Sequence, residues 1–251
     1  MDAARFLAGS PDRRRLLAHL REQPGSPRDV ADALDTSRRS VQRNLAELRD
    51  RGWAERRDGG YHLTTAGALV AQAHADYRDA LAVIDEAAPF LREVAAEHAP
   101  DPAWLGDAAV VTATAERPQA PVSHYVQRVR ERETTTVRML APVLSRIFHE
   151  PHAELVLSGV DTELVLPADG VETARSMNPL EFRVVVRAID LYRHDGPVPV
   201  GLTLGDDWVL AGAYDDDGQL RAVVECDHPE LFDWAESLYE DHRSKSEPVR
   251  S

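Results

Sequence analysis

Residues 26–64 constrain this chain more than any other stretch, because two helical patterns, a capped stop and an alternating hairpin follow one another without a gap. Pro27 can open a helix over 27–34, since the first helical N–H has no acceptor to lose. Asp35-Thr36 makes a turn, and Ser37 is a good N-cap for a second helix ending at Arg51. Val41, Leu45 and Leu48 recur at i, i+4 and i+7, which is one buried face. Gly52 stops that helix. Trp53 to Thr64 alternates around Asp58-Gly59-Gly60 and reads as a two-stranded hairpin. Helix, turn, helix and hairpin in this order spell a winged helix-turn-helix. The outer face of its second helix carries Arg38, Arg39, Gln42, Arg43 and Asn44, side chains that reach phosphates and base edges in a major groove. Ser37 is expected near a phosphate, and Arg56 and Arg57 on the wing at backbone or minor groove. Double-stranded DNA is the expected partner. The alternative is a winged helix that binds protein and leaves this basic face solvated.

Charge is divided in a way that suits the motif. Thirteen arginines against ten acids leave residues 1–72 at +3, so the rest of the chain holds −17 of a net −14. The positive charge sits where phosphates would. Lys245 is the only lysine. An acidic, lysine-poor surface resembles that of proteins from salt-loving microbes. Carboxylates keep a chain dispersed where salt screens ordinary repulsion. The single cysteine, Cys226, excludes internal disulfides and is expected to be a small buried hydrophobe. The N-terminus lacks signal-peptide blocks and no apolar run spans a membrane, so a cytoplasmic protein is expected.

Three parts are expected: a winged helix over 1–66, a helical linker over 67–98, and an α/β domain over 99–245. A first helix at Pro11–Arg21 precedes the motif, capped by Ser10 or Asp12. Arg13, Arg14 and Arg15 at its start either contact DNA backbone or form a solvated face. In the linker, Val70, Tyr77, Ile84 and Leu91 recur every seven residues, with Ala73, Ala80, Ala87 and Val94 at the other apolar position. Large residues alternating with alanines let two helices approach closely. Val70, Ala73, Tyr77, Ala80 and Ile84 are therefore the expected homodimer interface. Pro89 must kink or stop the helix near Ala88.

Beyond Ala99-Pro100-Asp101-Pro102 the pattern turns α/β. Strands are expected at Ala108–Thr114, Thr134–Leu140, Val198–Leu204, Trp208–Tyr214 and Leu220–Cys226, the last three as an antiparallel meander. Glu154–Ser158 and Thr162–Leu166 read as paired strands. Helices are expected at Pro121–Arg132, Pro142–His149, Val171–Met177 and Pro229–His242, while Phe182–Tyr192 fits either state. Tyr192, His194, Trp208 and Tyr214, polar-tipped aromatics on or beside strands, are the expected effector pocket.

Arg138-Met139-Leu140-Ala141-Pro142, VPVGLTLGDD over 198–207, LAGAYDDDG over 210–218 and Asp233-Trp234-Ala235-Glu236-Ser237-Leu238-Tyr239 carry a family resemblance. The chain resembles haloarchaeal transcription regulators that join a winged helix to a FilR1-type middle domain, related to TrmB-like regulators. The resemblance implies an α+β fold whose C-terminal mixed α/β domain is distantly similar to phospholipase-D-like domains. Together with the motif and the linker seam, it leads to the expectation of a sequence-specific, homodimeric transcriptional regulator answering to a small-molecule or protein effector. Two other readings remain: an architectural DNA binder without ligand, and an enzyme with an accessory winged helix. Phospholipase chemistry needs a His and a Lys two residues on, but His194 is followed by Asp195-Gly196. Asp215-Asp216-Asp217-Gly218 fails as a calcium loop, because Ala213 and Val224 would fall at the first and twelfth ligand positions. His62, His149 and His152 lack partners at metal-ligand spacing. No catalytic residue, metal or cofactor is expected.

Overall fold

Helix caps and one apolar stripe organise the N-terminal part of the chain. The computed structural model describes residues 2–250, apart from the side chains of Arg146, Ile147 and His149; the sequence reading of His149 thus lies outside the described residues. Two compact units result, one ending at Leu81 and the other beginning at Ala82. The division falls within a single long helix.

The first unit opens with α1 (Ala3–Ala8) and α2 (Pro11–Glu22). Sequence patterning misses α1, which is six residues long and is held by buried Phe6 and Leu7. Ser10 caps α2, its hydroxyl accepting the Arg13 N–H. Arg13, Arg14 and Arg15 of α2 are all engaged within the unit, Arg15 while still exposed. Arg13 pairs with Glu47 at 2.7 Å and donates to the Phe6 carbonyl, Arg14 donates to Leu7 and Ala8, and Arg15 to Leu34. Arg13 and Arg51 also lie over the Phe6 ring, 4.2 and 3.9 Å from its centroid. Such contacts strap α1 down.

Helices α3 (Pro27–Ala33) and α4 (Arg38–Asp50) follow, then β1 (Ala54–Arg57), β2 (Gly60–Leu63) and α5 (Thr65–Leu91). Ser26 and Asp29 form a reciprocal capping box on α3. At the end of α4 the Gly52 N–H reaches Arg49 O and the Trp53 N–H reaches Leu48 O. This is a Schellman stop, with Gly52 at φ 73° where a side chain would be strained. In the hairpin, Asp58 and Gly59 both take positive φ, the turn that matches strand twist. Leu16, Leu17, Leu20, Val30, Val41, Leu45 and Leu48 are buried together, each large side chain stabilising the unit by about 1.5–3 kcal/mol. Thr64 joins three elements: its hydroxyl donates to Gly52 O at 2.6 Å and accepts the Gly67 N–H at 3.1 Å, while its own N–H reaches Trp53 O. Helix α5 runs through Pro89 and stops two residues later.

The second unit comprises β3 (Ala109–Thr112), α6 (Ala120–Glu131), β4 (Thr136–Leu140), α7 (Arg146–Leu157), β5 (Asp161–Pro167), α8 (Ala168–Met177), α9 (Pro179–Ala188), β6 (Asp190–His194), β7 (Gly201–Leu204), β8 (Val209–Tyr214), β9 (Leu220–Cys226), α10 (Pro229–Ser244) and β10 (Glu247–Pro248). The strands form one mixed sheet in the order β10-β6-β5-β4-β7-β8-β9-β3. Strands β4, β5 and β6 are parallel, and β7, β8 and β9 form the expected meander. The expected helix at Pro142–His149 and strand at Glu154–Ser158 are both corrected, since α7 covers Arg146–Leu157. A short apolar run such as Leu155-Val156-Leu157 does not distinguish the two states. Parallel β4 and β5 need a crossover, and α7 supplies it.

One face of the sheet packs on α10 through Leu140, Val165, Leu202 and Val224 against Leu231, Ala235 and Tyr239. Cys226 is buried there, and burial pushes its thiol up. The other face carries α6 and α7, with Val129, Trp208, Leu210 and Val223 at its core. Here His124 and Arg128 on one side of α6, and Arg132 just past its end, converge on Glu225 of β9 at 2.9, 2.7 and 2.8 Å. Burial pushes the Glu225 carboxyl up, but the two arginines outweigh it and hold the group below its usual range. The Asp215–Gly218 turn is a local one: Asp215 Oδ1 accepts the N–H groups of Asp217 and Gln219.

Candidate nucleic-acid interface and ligand cavity

The capped start of α4 sets its outer face. Arg38, Arg39, Gln42 and Arg43 are exposed there, opposite buried Val41, Leu45 and Leu48. The ion pairs of this unit join Arg13 to Glu47, Arg49 to Asp50, and Arg57 to Glu55 and Asp58. Among the described residues, Arg38, Arg39, Arg43 and Arg56 have no carboxylate partner, so their charge is available to phosphates. Arg56 and Arg57 stand exposed on β1 of the wing. The Ser37 hydroxyl accepts the Ser40 N–H at 3.1 Å and is thus engaged in capping.

Asn44 does not belong to this face. It is 2 % exposed, because three residues on from Val41 the helix brings it back onto the buried stripe. Its Oδ1 has no hydrogen-bond partner among the described residues. A hollow of about 10 Å³ beside it, lined by Asp12, Arg15, Thr36 and Val41 among others, is the size of a single water.

Along α5 the heptad residues divide. Val70 packs partly on the winged-helix core, whereas Ala73, Tyr77, Ala80 and Ile84 are exposed, together with Leu69 and Leu81. Ala87 and Val94 are buried in the core of the second unit.

The cavity of the second unit is not the one expected from its aromatics. A hollow of about 310 Å³ lies between the sheet and helices α6, α7 and α9, lined by residues that include Tyr125, Met139, His152, Val156, Leu164, Val185, Thr203 and Tyr214. Tyr214 alone of the expected four lines it. Trp208 is fully buried in the α6 core. Tyr192 and His194 share a parity on β6 with Val165 across the ladder, and this places them on the α10 side. There Arg243 lies 3.2 Å over the Tyr192 ring and His194 contacts Ser246 and His242. Strand alternation overrides chemical suitability here.

The residues that sequence reasoning missed are Tyr125, His152 and Thr203. The Tyr125 hydroxyl lies 2.7 Å from His152 Nε2 and 2.6 Å from Thr203 Oγ1. Burial raises the Tyr125 and Tyr214 phenols well above their ordinary pKa, keeping both neutral. Phe148 packs edge-on to both rings. The available sequence signal was His152 on a helical face four residues from Val156, but Glu154–Ser158 had to be read as helix to use it. Among the described residues, no group of three or more His, Cys, Asp or Glu is placed to hold a metal. No described helix is long and apolar enough to cross a membrane.

Together these features define a winged-helix protein that carries a mixed α/β domain with its own cavity. The family model described as "Methanogenesis regulatory protein FilR1, middle domain" matches residues 118–245, and that described as "HVO_A0261 N-terminal domain" matches 1–97. The chain belongs to the FilR1 middle-domain family of regulatory proteins. No curated protein is significantly similar to it. Among solved structures, it is similar to the archaeal chromatin protein TrmBL2 at 12% identity and a TM-score of 0.45, covering 99% of this chain and 100% of that one. NucT from Helicobacter pylori is 9% identical with a TM-score of 0.46, over 57% of this chain and 99% of its own. A MarR family protein of Mycobacterium tuberculosis is 28% identical with a TM-score of 0.30, over 36% and 73%.

Proposed function

We propose that this chain is a sequence-specific, homodimeric DNA-binding regulator of transcription whose C-terminal domain answers to an effector. The observation that carries the reading is the unpaired, exposed row Arg38, Arg39, Gln42 and Arg43 on α4. Arg39 and Arg43 lie four apart on one face, the spacing that lets two side chains reach successive base steps in a major groove. Genome-wide mapping of bound sites supplies an operator. On that operator, Arg43→Ala is expected to cost about 1–3 kcal/mol if it reads a guanine, whereas Arg56→Ala weakens all sequences alike. Unchanged operator retardation by Arg39→Ala/Arg43→Ala would remove α4 from the groove. Equal binding to operator and random DNA would favour the architectural reading.

The exposed run Ala73, Tyr77, Ala80 and Ile84 supports dimerisation through α5, and two-fold symmetry suits two half-sites. Tyr77→Glu puts like charges across that axis without counter-ions. The variant is expected to scatter light as a monomer and to lose operator binding. A variant that stays dimeric would move the interface off α5.

A further inference from the structure

A second hollow, of about 260 Å³, adjoins the cavity of the second unit and shares Leu144, Ser145, Leu164, Leu166, Glu181 and Val185 with it. Both fall within or near the size range of ligand sites. Among the described residues, their walls are formed mainly by Leu, Val, Met, Ala and Ile side chains. Leu157, Val184 and Met177 on their rims are exposed, so an apolar occupant would cover surface that otherwise faces water. We propose that this double hollow binds one elongated, uncharged, largely hydrocarbon molecule with a single hydroxyl, an aliphatic alcohol or an alkylphenol. Its role as effector rests on the regulator reading above; its binding does not.

The polar end of the site fixes the head group. Tyr125 stands between His152 and Thr203, so the three share two hydrogen bonds. If Tyr125 donates to the imidazole, Thr203 donates to Tyr125 and keeps lone pairs to offer. If Tyr125 donates to Thr203, the Thr203 proton is free to donate onward. A hydroxyl meets either arrangement, because it is donor and acceptor at once. The apolar walls penalise a carboxylate head, which would have to shed its water there.

The floor keeps the space open. Gly201 and Gly212 face each other across β7 and β8. A Cβ on Gly201 would come within 2.7 Å of Tyr214 Cε2, and one on Gly212 within 3.3 Å. The Tyr214 ring lies on this glycine pair, and a side chain there would displace it.

The test uses the whole chain and the neutral fluorophore N-phenylnaphthylamine. The expected result is one probe per chain, displaced by decanol and displaced about tenfold less well by decanoate at neutral pH. Val185→Trp fills the neck and is expected to abolish both, with circular dichroism and melting preserved. Ala153→Trp serves if that variant misfolds. Thr203→Val should weaken decanol about tenfold while sparing the probe, which carries no hydroxyl. Failure of the wild type to bind, equal displacement by decanoate, or unchanged binding by both Trp variants would overturn the proposal. So would a dimer that Val185→Trp converts to monomer, since the hollow would then be a self-association face. Decanol that binds but leaves operator affinity unmoved upholds the site and removes only the effector reading.

Discussion

Glu225→Ala is expected to destabilise the C-terminal unit by about 1–3 kcal/mol at neutral pH, because it removes the buried carboxylate that Arg128 and Arg132 share and leaves them only Glu131 and Asp227. Arg128 and Arg132 both bond to Glu225, and His124 lies 2.9 Å away. Urea unfolding followed by circular dichroism measures the loss. The effect carries a pH signature. A carboxyl whose folded pKa is depressed contributes stability that is present above its unfolded pKa and lost as pH falls through the folded value. Glu225 is of this kind, with an ordinary value of 4.5. The gap between wild type and variant should therefore be widest near neutrality and close in acid. Glu225→Gln, which keeps an acceptor, should fall between the two. Equal urea midpoints for Glu225→Ala and wild type would show that the cluster is decorative.

Gly67→Ala is expected to disable the N-terminal unit, against the rule that alanine improves helices. Alanine gains about 1 kcal/mol over glycine inside a helix. Here, however, a Cβ on Gly67 would run into the Trp53 carbonyl oxygen, a backbone atom that already accepts the Thr64 N–H. Backbone on both sides cannot yield as a flexible side chain can. Overpacking of this sort costs about 1–3 kcal/mol and occasionally more, so the clash exceeds the propensity gain. Reduced melting of the first unit and lost operator binding are the expected readouts. Gly106→Ala is the control, with no atom nearer than 3.9 Å to the added carbon and no penalty expected. A Gly67→Ala protein as stable as wild type would show that α5 can shift away from the wing.

The winged helix was legible because its determinants are local. Ser37, Gly52 and Asp58-Gly59 act on neighbours a few residues away, and the apolar stripe of α4 recurs within three turns. The exception was Asn44, a polar residue at a buried helical position, where residue type pointed outward and periodicity pointed inward. The C-terminal site was not legible, for two physical reasons. Reading Leu155-Val156-Leu157 as strand removed the crossover helix, and with it the wall that carries His152. Tyr192 and His194 have the chemistry of a pocket but the wrong parity, since a strand shows alternate residues to opposite faces. His124, Arg128 and Arg132 gave a visible i, i+4, i+8 signal. Its meaning lay in Glu225, more than ninety residues along the chain, and no local pattern points there.

The hydroxyl of Thr64 gives the long helix a mechanical role. It ties the stop of α4, the end of the wing and the first turn of α5 into one knot. Helix α4 therefore has no hinge of its own at this end and turns with the start of α5 as a blade turns with its handle. Within the first unit, which ends at Leu81, the handle has 17 residues, about 25 Å at about 1.5 Å per residue. A tilt of about 10° over that length swings the knot by about 4 Å. On the regulator reading proposed above, a swing of that size moves α4 against a major groove while every bond inside the winged helix stays made.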